Sequence, residues 1–140
     1  MDILDTLRIS ASGMTAQRVR LQTVASNMAN ARTTRTEEGG PYRRQVPVFE
    51  AVEKDVFGNM VEQNLSRVSV TDIEETDEPN LRVYDPGHPD AAEDGYVEYP
   101  NVNLLEEMVD MMTTSRTYEA NASVVETTYE MAMNALEIGR

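Results

Sequence analysis

The most regular hydrophobic pattern lies in the C-terminal part of the chain. From residue 103 to about 138, apolar and small side chains recur at alternating steps of four and three, and no Pro or Gly intrudes before Gly139. This heptad spacing predicts a long amphipathic helix with a coiled-coil seam. Asn103, followed by Glu106, fits an N-cap with its capping-box partner. The seam positions are Leu104, Met108, Met111, Ser115, Tyr118, Ala122, Val125, Tyr129, Ala132 and Leu136.

A second heptad pattern occupies residues 1 to about 31. It runs over four repeats without Pro, with one polar break at Arg18 and one weak point at Gly13. A Thr-rich stretch and then Gly39-Gly40-Pro41 predict the end of this helix. The seam positions are Leu4, Leu7, Ala11, Met14, Arg18, Leu21, Ala25 and Met28.

The middle of the chain has a different pattern. Five of the six Pro fall between residues 42 and 100, and short β-like runs lie between them, at 42–48, 67–70, 81–84 and 96–99. The sequence therefore predicts a mainly α protein. Two long terminal helices form a coiled-coil-like pair, with a small β-rich or extended insert between them. The corresponding units are residues 1–36, 37–100 and 101–140.

The predicted C-terminal helix is too long for a compact chain of 140 residues. Thirty-five residues of helix span about 52 Å, whereas a globule of this size is about 37 Å across. Apolar residues also lie off the seam, for example Val109, Val124 and Met131. We therefore expect these helices to pack against other copies of the chain or against another protein.

The net charge of the chain and its distribution limit which partners the chain can bind. The net charge of −13 argues against binding a nucleic-acid backbone or an anionic membrane surface. Residues 1–36 carry five Arg against two Asp, whereas residues 101–140 carry seven acidic residues against two Arg. A basic helix and an acidic helix attract each other, within one subunit or between subunits. Residues 70–100 hold ten carboxylates against Arg82, which is typical of solvated loops.

Candidate chemistry is sparse. His88 is the only histidine and there is no Cys. No Gly-x-Ser-x-Gly turn is present to place a nucleophile for a catalytic triad, and a metal site at His88 would lack further nitrogen or sulfur ligands. The acidic segment 85–98 misses the spacing of an EF-hand, and no phosphate-binding Gly-rich loop is present. We expect no catalytic, cofactor-binding or metal-binding residues, and His88 is expected to lie in a plain turn. An enzyme or Ca²⁺ protein remains an alternative only through the acidic insert.

Two passages resemble the rod proteins of the bacterial flagellum. Residues 12–18 (SGMTAQR) and 25–34 (ASNMANARTT) are similar to the N-terminal motif of that family. Residues 107–111 (EMVDM) and 115–121 (SRTYEAN) are similar to its C-terminal motif. Three further segments resemble its proximal-rod members, namely 39–44 (GGPYRR), 83–90 (VYDPGHPD) and 95–103 (GYVEYPNVN). Residues 51–80 match least.

The resemblance implies a structural subunit of the proximal rod, which would cross the periplasm and transmit motor torque. The implied partners are other copies, other rod proteins, the inner-membrane ring and rod-base components, and the flagellar type III export apparatus. No nucleic acid, no membrane insertion and no cofactor are expected. Export by that apparatus would agree with an N-terminus that lacks the pattern of a cleavable signal. The alternative is another axial-type helical adaptor that does not polymerise.

The helix seams are predicted to form the assembly interface, together with three Asn of the family motifs. The predicted interface residues are Leu4, Leu7, Met14, Leu21, Asn27, Met28, Asn30, Leu104, Met108, Met111, Tyr118, Asn121, Val125, Tyr129 and Leu136.

Overall fold

Two helices flank a set of antiparallel strands in the computed structural model, which describes residues 3–53 and 66–139. The order of elements is α1 (Ile3–Ala29), β1 (Gln45–Glu53), β2 (Ser66–Glu75), β3 (Leu81–Tyr84), β4 (Tyr96–Tyr99) and α2 (Leu104–Ile138). The predicted terminal helices and β-rich insert are confirmed. The predicted runs 81–84 and 96–99 agree with β3 and β4, whereas β1 and β2 are longer than the runs predicted from the sequence.

Helix α2 is a single uninterrupted helix of 35 residues. The Asn103 side chain caps it by accepting a hydrogen bond from the backbone N–H of Leu105 at 3.1 Å, as predicted. The reciprocal bond of a capping box, from Glu106 back to Asn103, is absent among the described residues. At 1.5 Å per residue α2 is about 52 Å long and α1 about 40 Å. Helix α1 therefore cannot cover α2 over its full length.

The insert consists of two separate two-stranded sheets. Strands β1 and β2 pair antiparallel from Gln45↔Glu75 to Glu53↔Ser66, with a register shift between Val48 and Phe49. The sheet lies against α1, where Ser12 Oγ accepts a hydrogen bond from the backbone N–H of Val68 at 3.3 Å. Strands β3 and β4 pair antiparallel from Leu81↔Tyr99 to Tyr84↔Tyr96.

The hydrophobic core is thin. Among the described residues, the buried apolar side chains are Ala16, Val24, Val97 and Pro100. Low aromatic content agrees with such a core. Polar interactions also join α1 to α2, and these define the site described below.

Gly95 is the tightest point of the β3–β4 hairpin. Its φ of +76° is a left-handed conformation, and an added Cβ would lie 2.8 Å from Tyr84 Cε2. The ring of Tyr84 packs edge-on against Tyr96 at 5.3 Å between centroids, but it is 64% exposed and can shift, so the left-handed backbone is the main obstacle to a side chain at position 95. We expect Gly95→Ala to lower the free energy of unfolding by about 1–3 kcal/mol, measured by urea denaturation followed by circular dichroism.

Gly87→Ala is the matched control for this prediction. Gly87 lies in the same β3–β4 connection, its φ is not left-handed, and its nearest neighbour would be 3.6 Å from an added Cβ. Equal midpoints for the two variants would mean that the Gly95 backbone conformation does not constrain the hairpin.

Candidate assembly interface

The fully buried side chains of α1 and α2 are mostly small or polar. Buried residues on α1 are Ser10, Ala16, Thr23, Val24 and Asn27, and those on α2 are Glu107 and Thr114. The helices run antiparallel and approach closely where α1 has a glycine. An added Cβ on Gly13 would lie 3.2 Å from Asn121 Nδ2.

One ion pair joins the two helices directly. Both carboxylate oxygens of Asp110 accept from Arg20 Nη2 at 3.1 Å. This is a contact of the kind expected between a basic N-terminal and an acidic C-terminal helix. Because both side chains are more than a third exposed, the pair sets the register of the helices more than it stabilises them.

Asn27 organises a buried polar cluster at the end of α1. Its Nδ2 donates to the Gln45 carbonyl at 2.8 Å and to Glu107 Oε2 at 3.1 Å. Its Oδ1 accepts from the backbone N–H of Gln45 and from the Tyr42 hydroxyl, each at 2.9 Å. A single side chain therefore ties α1 to both the start of β1 and the first turns of α2.

Glu107 is the charged member of this cluster and is fully buried. Its Oε1 accepts from Arg44 Nε at 2.7 Å, and its Oε2 accepts from Asn27. A buried carboxylate requires such partners, because its desolvation is not otherwise compensated. We call Asn27, Tyr42, Arg44, Gln45 and Glu107 the latch.

The loop between β3 and β4 also contacts the segment that follows α1. Thr34 Oγ1 donates to Asp90 Oδ2 at 2.8 Å. His88 Nδ1 accepts from the backbone N–H of Asp90 at 3.1 Å, so His88 lies in a turn, as predicted. In the described parts of the chain, no group of three or more His, Asp or Glu side chains could hold a metal ion.

Of the twelve apolar residues in the predicted interface, half are exposed and half are half-buried. On α2, Leu104, Met108, Tyr118, Tyr129 and Leu136 are exposed, whereas Met111 and Val125 are half-buried. On α1, Leu4 is exposed, and four seam residues are half-buried, namely Leu7, Met14, Leu21 and Met28. A coiled-coil pairing of the two helices through these positions is not confirmed.

The three motif Asn residues have different environments. Asn27 belongs to the latch, and Asn121 packs against Gly13. Asn30 binds locally, since its Nδ2 donates to the Ser26 carbonyl at 3.0 Å and its Oδ1 accepts from Thr33 Oγ1. Asn27 and Asn121 thus belong to the contact within the chain. On α2, Asn121 is three residues from Tyr118 and four from Val125, so it shares a helix face with these two seam residues.

Sequence reasoning missed the roles of Arg44 and Glu107. Glu107 lies seven residues before Thr114 and fourteen before Asn121, so its position on the buried face was available from helical periodicity. An acidic residue on a buried helix face is a signal for a cation elsewhere in the chain. Nothing in the sequence selects Arg44 from the neighbouring Arg43.

Known proteins resemble this chain over its whole length. Residues 7–35 match the family model described as flagella basal body rod protein. Residues 93–138 match the model described as flagellar basal body rod FlgEFG protein C-terminal. The flagellar basal-body rod protein FlgC of Aquifex aeolicus is 46% identical, over 98% of this chain and 97% of that protein. The corresponding proteins of Bacillus subtilis and Borreliella burgdorferi are 41% and 40% identical, covering 100% and 99% of this chain and 100% and 98% of their own lengths.

The chain belongs to the flagellar basal-body rod protein family. It is therefore a structural subunit of the flagellar rod and not an enzyme. The latch of this rod protein is built from residues of the recognised motifs. Asn27 lies in the N-terminal motif, Glu107 begins the C-terminal motif, and Arg44 ends the segment 39–44. Neither helix of the described chain is both long and apolar enough to cross a membrane.

Proposed function

We propose that this rod protein is a subunit of the proximal rod that polymerises through the apolar stripes of its terminal helices. The observation that carries the proposal is the exposure of large apolar heptad positions on α2. The fully buried side chains of the two helices are mostly small or polar, whereas Leu104, Tyr129 and Leu136 of α2 remain exposed and available to neighbouring subunits.

The exposed apolar surface supports this proposal. Leu136 is 70% exposed, Tyr129 is 62% exposed and Ile138 is 87% exposed, all near the end of α2. Large apolar side chains that recur at heptad spacing and are exposed to solvent are typical of a helix that packs against a partner helix. The overhang of α2 beyond α1 extends this surface further.

The remaining partners follow from the resemblance to proximal-rod proteins. We propose that the subunit lies in the periplasmic part of the rod, between the inner-membrane ring and the distal rod, and transmits motor torque. Its neighbours would be other copies of itself, other rod proteins and rod-base components. Its route would be the flagellar type III export apparatus. Residues 1–36 and 101–140 would form the assembly region, and residues 37–100 the outer insert.

Deletion of the gene in the native cell tests this function. We expect non-motile cells whose isolated basal bodies lack a complete rod, because the rod then lacks one of its structural subunits. Complementation with the full-length gene should restore both motility and the rod. Motile cells with complete rods after deletion would refute the proposal.

A further inference from the structure

The outward face of α1 forms a continuous stripe of small, polar and basic residues. From Leu4 to the end of the helix, every exposed position falls at alternating steps of four and three. Arg8 and Arg18 are the charged residues of this stripe, and it contains no acidic residue. Arg18 is nine residues from Asn27, about two and a half turns, so it points away from the latch. The stripe consists of Leu4, Arg8, Ala11, Thr15, Arg18, Gln22, Ala25 and Ala29.

The outward face of α2 carries the opposite charge. Four exposed carboxylates lie on one side of its C-terminal half, at steps of seven, four and seven. Glu119 is nine residues from Asp110, about two and a half turns, and therefore points away from the α1–α2 contact. The four are Glu119, Glu126, Glu130 and Glu137.

These charges are not neutralised inside the subunit. Neither Arg8 and Arg18 nor the four glutamates form an ion pair within the described residues. The helix pair places the two stripes on opposite outer sides. One side of each subunit is therefore basic and the other acidic.

The distance between the two arginines of α1 is also close to the distance between two of the glutamates of α2. Arg8 and Arg18 are ten residues apart, about 15 Å along α1, and Glu119 and Glu130 are eleven residues apart, about 16 Å along α2. Both separations are close to three helical turns. When two antiparallel helices meet through these faces, Arg18 lies opposite Glu119 and Arg8 opposite Glu130.

We infer that the outward face of α1 in one copy binds the outward face of α2 in the next copy, in antiparallel orientation, with Arg18 paired to Glu119 and Arg8 to Glu130. The inference rests on the proposed function and adds a charged contact between subunits to the proposed apolar one. Ala11, Thr15 and Ala25 are short enough to let the second helix approach closely. Such a contact joins two different surfaces, so it is heterologous and propagates as an open helical array. Contacts between two identical faces are opposed by like charge.

Charge reversal and exchange test this contact in the cell. We expect Arg18→Glu to reduce incorporation into isolated basal bodies by about tenfold or more, because like charges then face each other. The second change Glu119→Arg in the same gene should restore incorporation. Glu93→Arg, which changes the net charge by the same magnitude as Glu119→Arg but on an exposed loop residue, should leave incorporation unchanged. Two results would overturn the pairing of Arg18 with Glu119: normal incorporation of Arg18→Glu, or no recovery of incorporation in the double variant. Neither result would bear on the proposed function as a rod subunit.

Cross-linking distinguishes the heterologous contact from a symmetric one. The chain has no Cys, so single cysteines can be placed without background. Cells that co-express an Arg18→Cys copy and a Glu119→Cys copy should give a dimer when basal bodies are treated with a short bifunctional maleimide. Cells that express either copy alone should not. A dimer from one variant alone, or no dimer from the mixture, would refute the inference even if deletion abolishes the rod.

Discussion

Replacing Arg44 with alanine is expected to lower the free energy of unfolding by about 3–5 kcal/mol. Glu107, whose side chain is only 1% exposed, would lose the cation at 2.7 Å and keep the amide of Asn27 as its remaining donor. The reason for the large effect is the uncompensated buried charge left behind. Because that amide still donates and Arg44 is 29% exposed, we expect the loss at the lower end of this range.

The measurement is equilibrium urea unfolding of the purified chain, followed by circular dichroism at 222 nm. Arg43→Ala is the matched control, because this neighbouring arginine is exposed and makes no ion pair with the described residues. Its substitution should change stability by less than about 0.5 kcal/mol. Adding Glu107→Gln to Arg44→Ala should recover part of the loss, since the buried charge is then removed. Indistinguishable midpoints for Arg43→Ala and Arg44→Ala would show that the latch contributes nothing.

Replacing Leu136 with aspartate is expected to abolish motility while the subunit keeps its stability and its export. Leu136 is 70% exposed in the subunit, so the substitution should change the free energy of unfolding by less than about 0.5 kcal/mol. In the proposed assembly the same side chain is covered by a neighbouring helix. An aspartate there would bury an unpaired charge, and the subunit should be absent from isolated basal bodies.

The control for this variant is Thr127→Asp, which adds the same charge to the same helix. Thr127 is exposed and lies nine residues from Leu136, about two and a half turns, hence on the opposite face. Immunoblots of exported protein and of isolated basal bodies separate export from incorporation. Complete rods in the Leu136→Asp strain would contradict the assignment of the apolar stripe to assembly. Met111 and Val125 are poorer test positions, because they are already half-buried in the subunit.

The helices and two of the strands could be predicted from the sequence because their signals are local. Heptad spacing over 35 residues, a single N-capping Asn and the absence of internal Pro define α2 without reference to the rest of the chain. Strands β3 and β4 are bounded by Pro, Gly and Asp, which end strands for local reasons. The lengths of β1 and β2 were underestimated, because cross-strand pairing extends a strand beyond its own β-propensity.

The assignment of faces could not be made from the sequence. Periodicity places Leu104, Met108 and Leu136 on one stripe, and apolar stripes normally pack inward. In this chain Gly13 lies against Asn121 and the carboxylate of Glu107 is buried, so the inner face carries small and polar side chains beside half-buried apolar ones. Which face of the helices lies inward depends on Arg44, a residue of the insert. Arg44 donates to Glu107, which lies 63 positions further along the chain.

The sequence by itself determined the long terminal helices, the β-rich insert, the opposite charges of the two ends and, through its motifs, the rod protein family. These are local patterns, and each one can be read from a segment of the chain. Only the tertiary structure decided that Asn27, Arg44 and Glu107 form one cluster and that apolar residues of α2 such as Leu104 and Leu136 are exposed in the subunit. The physical reason is that burying Glu107 requires donors from two other segments, and satisfying that carboxylate sets the rotation of both helices.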